Sequence, residues 1–288
     1  MERKSHCKVN LLLNILGKRP DGFHELETLM HPVRMFDVIR FEQAGAGLSL
    51  RCSIPELPVD SGNLVYRAAA AFLDASGIRH GVRISLEKNL PLAAGLGGGS
   101  GNAACTLLGL NELFDFPLTA PALHQIAAGL GSDVPFFLQQ GPALGFGRGE
   151  IIEPLPPLPA LHSAAFVIVH PGFGISTPWA YKELARFPAA RNGRKGSARE
   201  LAGALSEGSL DAAAPLFYNS LEAPALEKYP LLELFQRFFR ENGAVSLMSG
   251  SGSSTFAITK SLDLAETLAE KFKGKFGDQN WLSVCPCA

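Results

Sequence analysis

Between Pro91 and Ala104 the chain reads Pro-Leu-Ala-Ala-Gly-Leu-Gly-Gly-Gly-Ser-Gly-Asn-Ala-Ala, with glycines at 95, 97, 98, 99 and 101. No other segment constrains the fold as strongly. Residues without a Cβ let backbone N–H groups approach a ligand closely along a whole loop. Ala103, Ala104, Leu107, Leu108 and Leu110 then recur at helical spacing, which predicts a helix from about Asn102 to Phe114 with Ser100 as its cap. A bare loop feeding a helix N-terminus combines unsatisfied N–H groups with the positive end of the helix dipole, which makes an anion site. It is no Walker A loop, since no Gly-Lys-Ser/Thr closes it. It is no dinucleotide fingerprint either, because the glycine spacing differs and no acidic residue follows at a strand end about 20 positions on. A flexible turn after Lys88 is the bland alternative, but five glycines ahead of a strong helix former favour phosphate.

Around this loop the chain alternates strand-like and helix-like segments. Val33 to Phe41 reads as extended, with Asp37 and Arg40 as polar interruptions. Asn63 to Ala75 reads as a helix closed by Gly77, Val82 to Leu86 as a strand, and Ala120 to Leu130 as a second helix. Four prolines between Glu153 and Pro159 exclude a helix interior or central strand, so a domain junction is placed there: 1–150 and 151–288. Beyond it, Ala164 to Val169 reads as a buried strand, with helices near Leu221 to Leu226 and Leu231 to Glu241. Val245 to Met248 and Thr255 to Thr259 are expected strands flanking a glycine/serine turn. Pro188 to Lys195 reads as an exposed basic loop. The fold class is α/β or α+β.

Composition removes several functions. With 26 basic and 27 acidic residues and a net charge of -1, the chain lacks the basic surplus expected of a nucleic-acid binder. No apolar run reaches the ~18 residues of a membrane span. The Val9 to Leu13 stretch is too short and too polar for a signal-peptide core, so a cytoplasmic location is expected. The cysteines at 7, 52, 105, 285 and 287 show no disulfide framework and are read as reduced, mostly buried thiols.

Two more segments accompany the glycine loop: Lys8-Val-Asn-Leu-Leu-Leu-Asn-Ile-Leu-Gly-Lys-Arg-Pro-Asp-Gly-Phe-His near the N-terminus, and Gly131-Ser-Asp-Val-Pro-Phe-Phe137. The three ordered motifs together resemble the GHMP kinase superfamily, over a span from Lys8 to Ser254. The resemblance implies two α/β domains with the active site in the cleft between them. The N-terminal domain binds ATP, the C-terminal domain supplies part of the substrate wall, and the last residues return to the first domain. It implies that Gly95, Leu96, Gly97, Gly98, Gly99, Ser100 and Gly101 hold the ATP phosphates, with Asn63 and Lys88 at adenine or ribose. Lys8 and Asp133 are the implied catalytic pair: a hydroxyl is a poor nucleophile at neutral pH, and a carboxylate that takes its proton with a nearby cation answers that need. Asp133 before Val134-Pro135 also reads as a helix N-cap. Mg²⁺ is the implied metal, with Ser100 as a ligand.

The triple glycine and the Asp21-Gly-Phe-His24 turn are similar to the branch of that superfamily whose small-molecule substrate carries a cytidine diphosphate group. In that branch Phe23 would stack on the cytosine, His24 would bond its polar edge, and Tyr181 would form a second wall. Asn10, Thr177, Gly250 and Gly252 would also meet the substrate. Phenylalanine at 23 replaces a common tyrosine, Ser132 a common alanine, and Gly101 a second serine. The rival readings are a homoserine- or mevalonate-type kinase, which has no cytosine to grip, and an inactive nucleotide-binding regulator, against which the retention of Lys8 and Asp133 speaks.

Overall fold

A computed structural model describes residues 1–191 and 194–287. The chain opens with two long strands, β1 (Glu2–Lys18) and β2 (His24–Ala44). The extended segment expected at Val33 to Phe41 is only part of β2. The rest of β2, and β1 itself, carry no clean alternation because Asn10, Asn14, Glu27 and Thr28 are polar yet buried. By contact the chain divides into two compact units: Met1–Cys7, Met35–Leu90 and Gly97–Gln140 form the first, and Lys8–Arg34, Pro91–Leu96 and Gly141–Ala288 the second. The units are therefore not the contiguous stretches 1–150 and 151–288, since β1 and β2 each give residues to both.

In the first unit β3 (Leu48–Cys52) pairs parallel with β4 (Gly81–Glu87), and β4 pairs antiparallel with Val38–Ala44 of β2. Parallel neighbours need a crossover, here α1 (Leu64–Ser76). That helix starts where Asn63 Oδ1 accepts the Val65 N–H at 3.0 Å and stops at Gly77, whose φ of 68° suits glycine. α2 (Gly98–Leu113) and α3 (Ala120–Leu130) complete the unit. Ile39, Phe41, Phe72, Ile84, Leu107 and Leu110 form its core. A Cβ on Gly109 would lie 2.6 Å from the Phe41 ring, so α2 reaches the sheet this closely only with glycine there.

In the second unit β5 (Ala143–Gly147) pairs with Leu26–Met30 of β2 and with β6 (Ile151–Pro154), which ends where the prolines begin. β7 (Ala165–His170) is buried along its whole length. Then come α4 (Thr177–Glu183), α5 (Ser197–Ser206), α6 (Leu210–Ala213), the short β8 (Tyr218–Asn219), α7 (Glu222–Lys228) and α8 (Pro230–Glu241). β9 (Val245–Met248), β10 (Thr255–Thr259), α9 (Leu262–Phe276) and β11 (Trp281–Pro286) follow. A four-stranded antiparallel sheet runs β11-β7-β10-β9, with Phe235 and Phe239 of α8 and Phe272 of α9 packed over it. Because β11 pairs with β7 from Trp281↔His170 to Pro286↔Ala165, the chain's end stays in this unit, correcting the expectation that it rejoins the first.

Of the basic segment from Pro188 to Lys195, Pro188–Ala190 forms a 3-10 turn, Arg191 is half-buried, and Arg194 and Lys195 are exposed; Asn192 and Gly193 lie outside the described residues. The five cysteines are thiols outside any disulfide, and all but Cys52 are buried. Among the described residues no helix is long and apolar enough to cross a membrane.

Candidate active site

The glycine loop enters its helix earlier than its sequence suggests. α2 begins at Gly98, and Gly97 occupies the cap position at φ 67°, with no side-chain cap. Ser100 is the third helical residue and not the cap, because the left-handed turn at Gly97 brings the chain into the helix three residues ahead of it. Gly101 N–H donates to Gly97 O at 2.8 Å, the first bond of the helix, and the N–H groups ahead of it have no partner within the helix. Gly101 is sterically required. A Cβ there would lie 2.4 Å from the His6 carbonyl oxygen and 3.3 Å from Ser5 Oγ, so the serine of the family pattern does not fit this backbone.

Lys88, expected at the nucleotide's adenine or ribose, has a side chain only 4% exposed. Its ammonium pairs with Asp37 Oδ2 and donates to Asn102 Oδ1 at 3.2 Å. An ideal Cβ on Gly98 would stand 3.6 Å from the Lys88 Nζ, so this charge lies at the first turn of α2. Asp37 is fully buried and accepts four bonds: Asn89 N–H at 2.8 Å and Leu90 N–H at 2.9 Å on Oδ1, Lys88 and Asn102 Nδ2 on Oδ2. Asn102 Nδ2 also donates to Ser5 Oγ at 2.9 Å. The sequence showed Asp37 only as a polar break in a strand, and no local spacing marks it as a hub. Asn63, the other residue expected at the nucleotide, has its carboxamide engaged at both ends, capping α1 and donating to Pro58 O at 2.8 Å.

Asp133 also belongs to the first unit. It is half-buried in the turn ahead of a 3-10 helix spanning Pro135–Leu138. Val134, not Asp133, occupies that helix's cap position, and no side chain caps it. The cap expected at Asp133 thus falls one residue later, at Val134.

In the second unit Lys8 is 3% exposed, so it is no surface charge. Its ammonium donates to Asn10 Oδ1, and Asn10 Nδ2 donates to Thr28 Oγ1 at 2.8 Å, which in turn donates to Leu12 O at 2.5 Å. This buried polar chain within β1 and β2 fixes the lysine's rotamer. Thr28 is part of it without having stood out in the sequence. Lys8 N–H donates to Leu96 O at 2.9 Å, tying β1 to the loop.

The Ser249–Ser254 cluster packs against the same part of the loop. Ser249 Oγ donates to Gly95 O at 2.9 Å, and a Cβ on Gly95, at φ 76°, would sit 2.1 Å from Ser249 O. A Cβ on Gly250 would meet Gly95 O at 3.0 Å, and one on Gly252 would meet Met248 Sδ at 2.6 Å. Behind the cluster, Asn219 Nδ2 donates to Met248 O and Gly250 O at 2.7 and 2.8 Å. Glu222 Oε1 accepts Met248 N–H at 2.7 Å and Gln236 Nε2 at 2.6 Å. Burial pushes the Glu222 carboxyl up to about 7 against these donors.

The aromatic residues expected at a base also stand in this unit. Phe23 is 51% exposed, follows the φ 86° turn at Gly22, and carries the Arg148 guanidinium 4.6 Å over its ring. It is therefore a presented ring and no core residue. His24 lies against Tyr181 with ring centroids 5.1 Å apart. Burial first, then Lys18 and Arg191, hold its imidazole below its ordinary pKa, so it is a neutral donor and acceptor around pH 7. The Thr177 hydroxyl bonds Ser251 Oγ at 2.8 Å.

The family of GHMP kinases N terminal domains matches residues 63–141, and that of GHMP kinases C terminal domains matches residues 189–278. A 4-diphosphocytidyl-2-C-methyl-D-erythritol kinase of Pelotomaculum thermopropionicum is 40% identical over 271 residues, covering 93% of this chain and 92% of the relative. The enzyme of that name from Syntrophus aciditrophicus is 41% identical over 282 residues, covering 98% and 96%. A crystal structure of 4-(cytidine 5'-diphospho)-2C-methyl-D-erythritol kinase superimposes with a TM-score of 0.79 at 35% identity, covering 99% of this chain and 98% of that one. A homoserine kinase from Cytophaga hutchinsonii shares the fold, with a TM-score of 0.74 at 21% identity over 98% of this chain and 94% of that one.

Proposed function

Since this chain belongs to the GHMP kinases, we propose that it transfers the γ-phosphoryl group of ATP to the 2-hydroxyl of 4-diphosphocytidyl-2-C-methyl-D-erythritol, a step in making isoprenoid precursors. The observation that carries this reading is the start of α2. Gly97 turns the chain, Gly98 and Gly99 carry no side chain, and none caps the first turn, so its N–H groups are left for phosphate oxygens. Gly95 and Leu96 continue the cradle and Ser100 adds a hydroxyl, while the polar atoms of Asn63 and Lys88 are taken up inside the fold. Residues 1–150 carry the nucleotide loop together with Asn10, Phe23 and His24, residues 151–288 supply part of the substrate wall, and the ATP it consumes is consistent with a cytoplasmic enzyme.

Asp133 accepts the proton of the attacking hydroxyl, and the Lys8 ammonium stabilises charge that develops on the phosphoryl oxygens. Phosphoryl transfer asks mainly for position and charge, and a buried lysine with a fixed rotamer supplies both. Phe23 stacks on the cytosine, neutral His24 bonds its edge, Tyr181 walls the far side, and Asn10, Thr177, Gly250 and Gly252 line the remainder. Mg²⁺ fits the donors present, because it keeps water and phosphate oxygens and takes only one or two protein ligands. Ser100 Oγ would be such a ligand, and the bound ion would neutralise phosphate charge.

The test is ADP release with the cytidyl substrate, homoserine and mevalonate, for the wild type and Asp133→Asn. Turnover is expected with the cytidyl substrate alone, and the variant should lose about 10³-fold in kcat. Turnover of homoserine or mevalonate would overturn the substrate, and near-normal turnover by folded Asp133→Asn would overturn the base.

A further inference from the structure

Both ends of the glycine-rich loop meet on one buried carboxylate. At the entry, Asp37 Oδ1 takes the N–H groups of Asn89 and Leu90, at 2.8 and 2.9 Å. At the exit, Asp37 Oδ2 takes Asn102 Nδ2 at 2.9 Å, from the fifth residue of α2. The Lys88 ammonium joins the two sides, pairing with Asp37 and donating to Asn102 Oδ1 at 3.2 Å. Ser5 Oγ accepts the remaining Asn102 proton at 2.9 Å, and Gly101 sits bare against the His6 carbonyl oxygen, so the exit is also anchored to β1. Every oxygen of Asp37 and every polar atom of the Asn102 side chain is used. A loop whose ends are held in this way loses little entropy when it closes on a ligand.

We propose that Asp37 is a positioning residue for ATP: by joining entry and exit of the glycine-rich loop through Asn102 and Lys88, it sets the first turn of α2 before the nucleotide arrives. Asp37 touches no substrate. Its effect reaches the phosphates through the spacing of the loop's ends. This rests on the reading that the first turn of α2 binds the phosphates.

Three variants test it by steady-state kinetics on folded protein. Asn102→Ala keeps the Asp37–Lys88 ion pair and removes only the exit link. It should raise KM for ATP about tenfold, the factor that accompanies one lost buried hydrogen bond, with kcat and the KM of the cytidyl substrate changed much less. Asp37→Asn, which keeps an oxygen for Asn89 and Leu90 but turns a donor toward Lys88 and Asn102, should raise KM for ATP further. Gly99→Leu probes the underlying site, because among the described residues a Cβ there meets Leu64 at an ordinary 3.6 Å, while the added side chain enters the phosphate space. If Gly99→Leu leaves KM for ATP unchanged, the phosphate reading itself is wrong. If Gly99→Leu raises it while folded Asn102→Ala and Asp37→Asn bind ATP as the wild type does, the positioning role alone is overturned. Should the Asp37 or Asn102 variants fail to fold, amide exchange in the wild type decides. Asn89 and Leu90 N–H groups are expected to exchange as slowly as the core of β4, and exchange at open-loop rates would refute the clamp.

Discussion

Two buried lysines, one in each unit, differ in what holds them. Lys88 donates to a carboxylate and a carboxamide that are themselves saturated, so its charge is neutralised inside the fold and joins the ends of a loop. Lys8 is equally buried, and one of its bonds goes to the neutral carboxamide of Asn10, which Thr28 of the neighbouring strand backs. A buried ammonium costs several kcal/mol of desolvation whatever its use. The difference teaches that burial alone does not tell a structural cation from a reactive one. The setting does: the Lys88 ammonium ties the ends of a loop together through Asp37 and Asn102, while Asn10 orients the Lys8 ammonium on β1.

The contrast is sharpest in a matched pair of substitutions. Lys8→Met should lower kcat about a thousandfold or more, since the lost charge acts on the transition state, and ADP release would show it. Lys88→Met should instead cost about 3–4 kcal/mol of stability in a denaturant titration, because Asp37 is left buried without its cation. Asp37→Asn added to Lys88→Met should recover much of that loss. Equal losses of turnover from the two lysine variants, with both proteins stable, would erase the distinction.

Glu222 extends the comparison to carboxylates. Asp37 receives an ammonium, whereas the hydrogen bonds to Glu222 come from the Met248 N–H and the Gln236 carboxamide, with Arg240 donating to Gln236 Oε1 at 2.7 Å. With its carboxyl pushed from 4.5 up to about 7, the folded protein keeps a proton that the unfolded chain releases between those values. The contribution of Glu222 is thus fully present below about pH 4.5 and is lost as pH rises through about 7. Relative to Glu222→Gln, the wild type should lose about 2–3 kcal/mol over that window. A difference that stays flat with pH would mean the carboxyl titrates normally. The smallest effect is expected at Phe23, whose ring is presented to solvent. Phe23→Ala should leave stability within about 0.5 kcal/mol and raise KM for the cytidyl substrate about tenfold. An unchanged KM would remove Phe23 from the substrate site.

Much of this was legible in the chain because it is locally encoded. The glycine run, the cap at Asn63, the stop at Gly77 and the hairpin strands around Ser249–Ser254 all depend on neighbours a few residues away, where φ preferences and side-chain periodicity act. The start of α2 was misplaced by four residues, since glycine has poor intrinsic helix propensity and only contacts with β1 and Lys88 make a glycine-rich first turn stable. β1 escaped because its buried asparagines break the pattern that marks a strand.

The sequence by itself determined the chemistry on offer: a bare phosphate loop, a lysine, an aspartate and a presented aromatic turn, with a family resemblance that ordered them. Only the tertiary structure decided that Asp37 closes the loop, that Lys88 is bound to it, that Gly101 has no room for a Cβ, and that β11 stays beside β7. These depend on groups 50 to 150 positions apart meeting within 3 Å. Hydrogen bonding and steric exclusion act over that distance in space, and residue spacing along a chain carries no record of it.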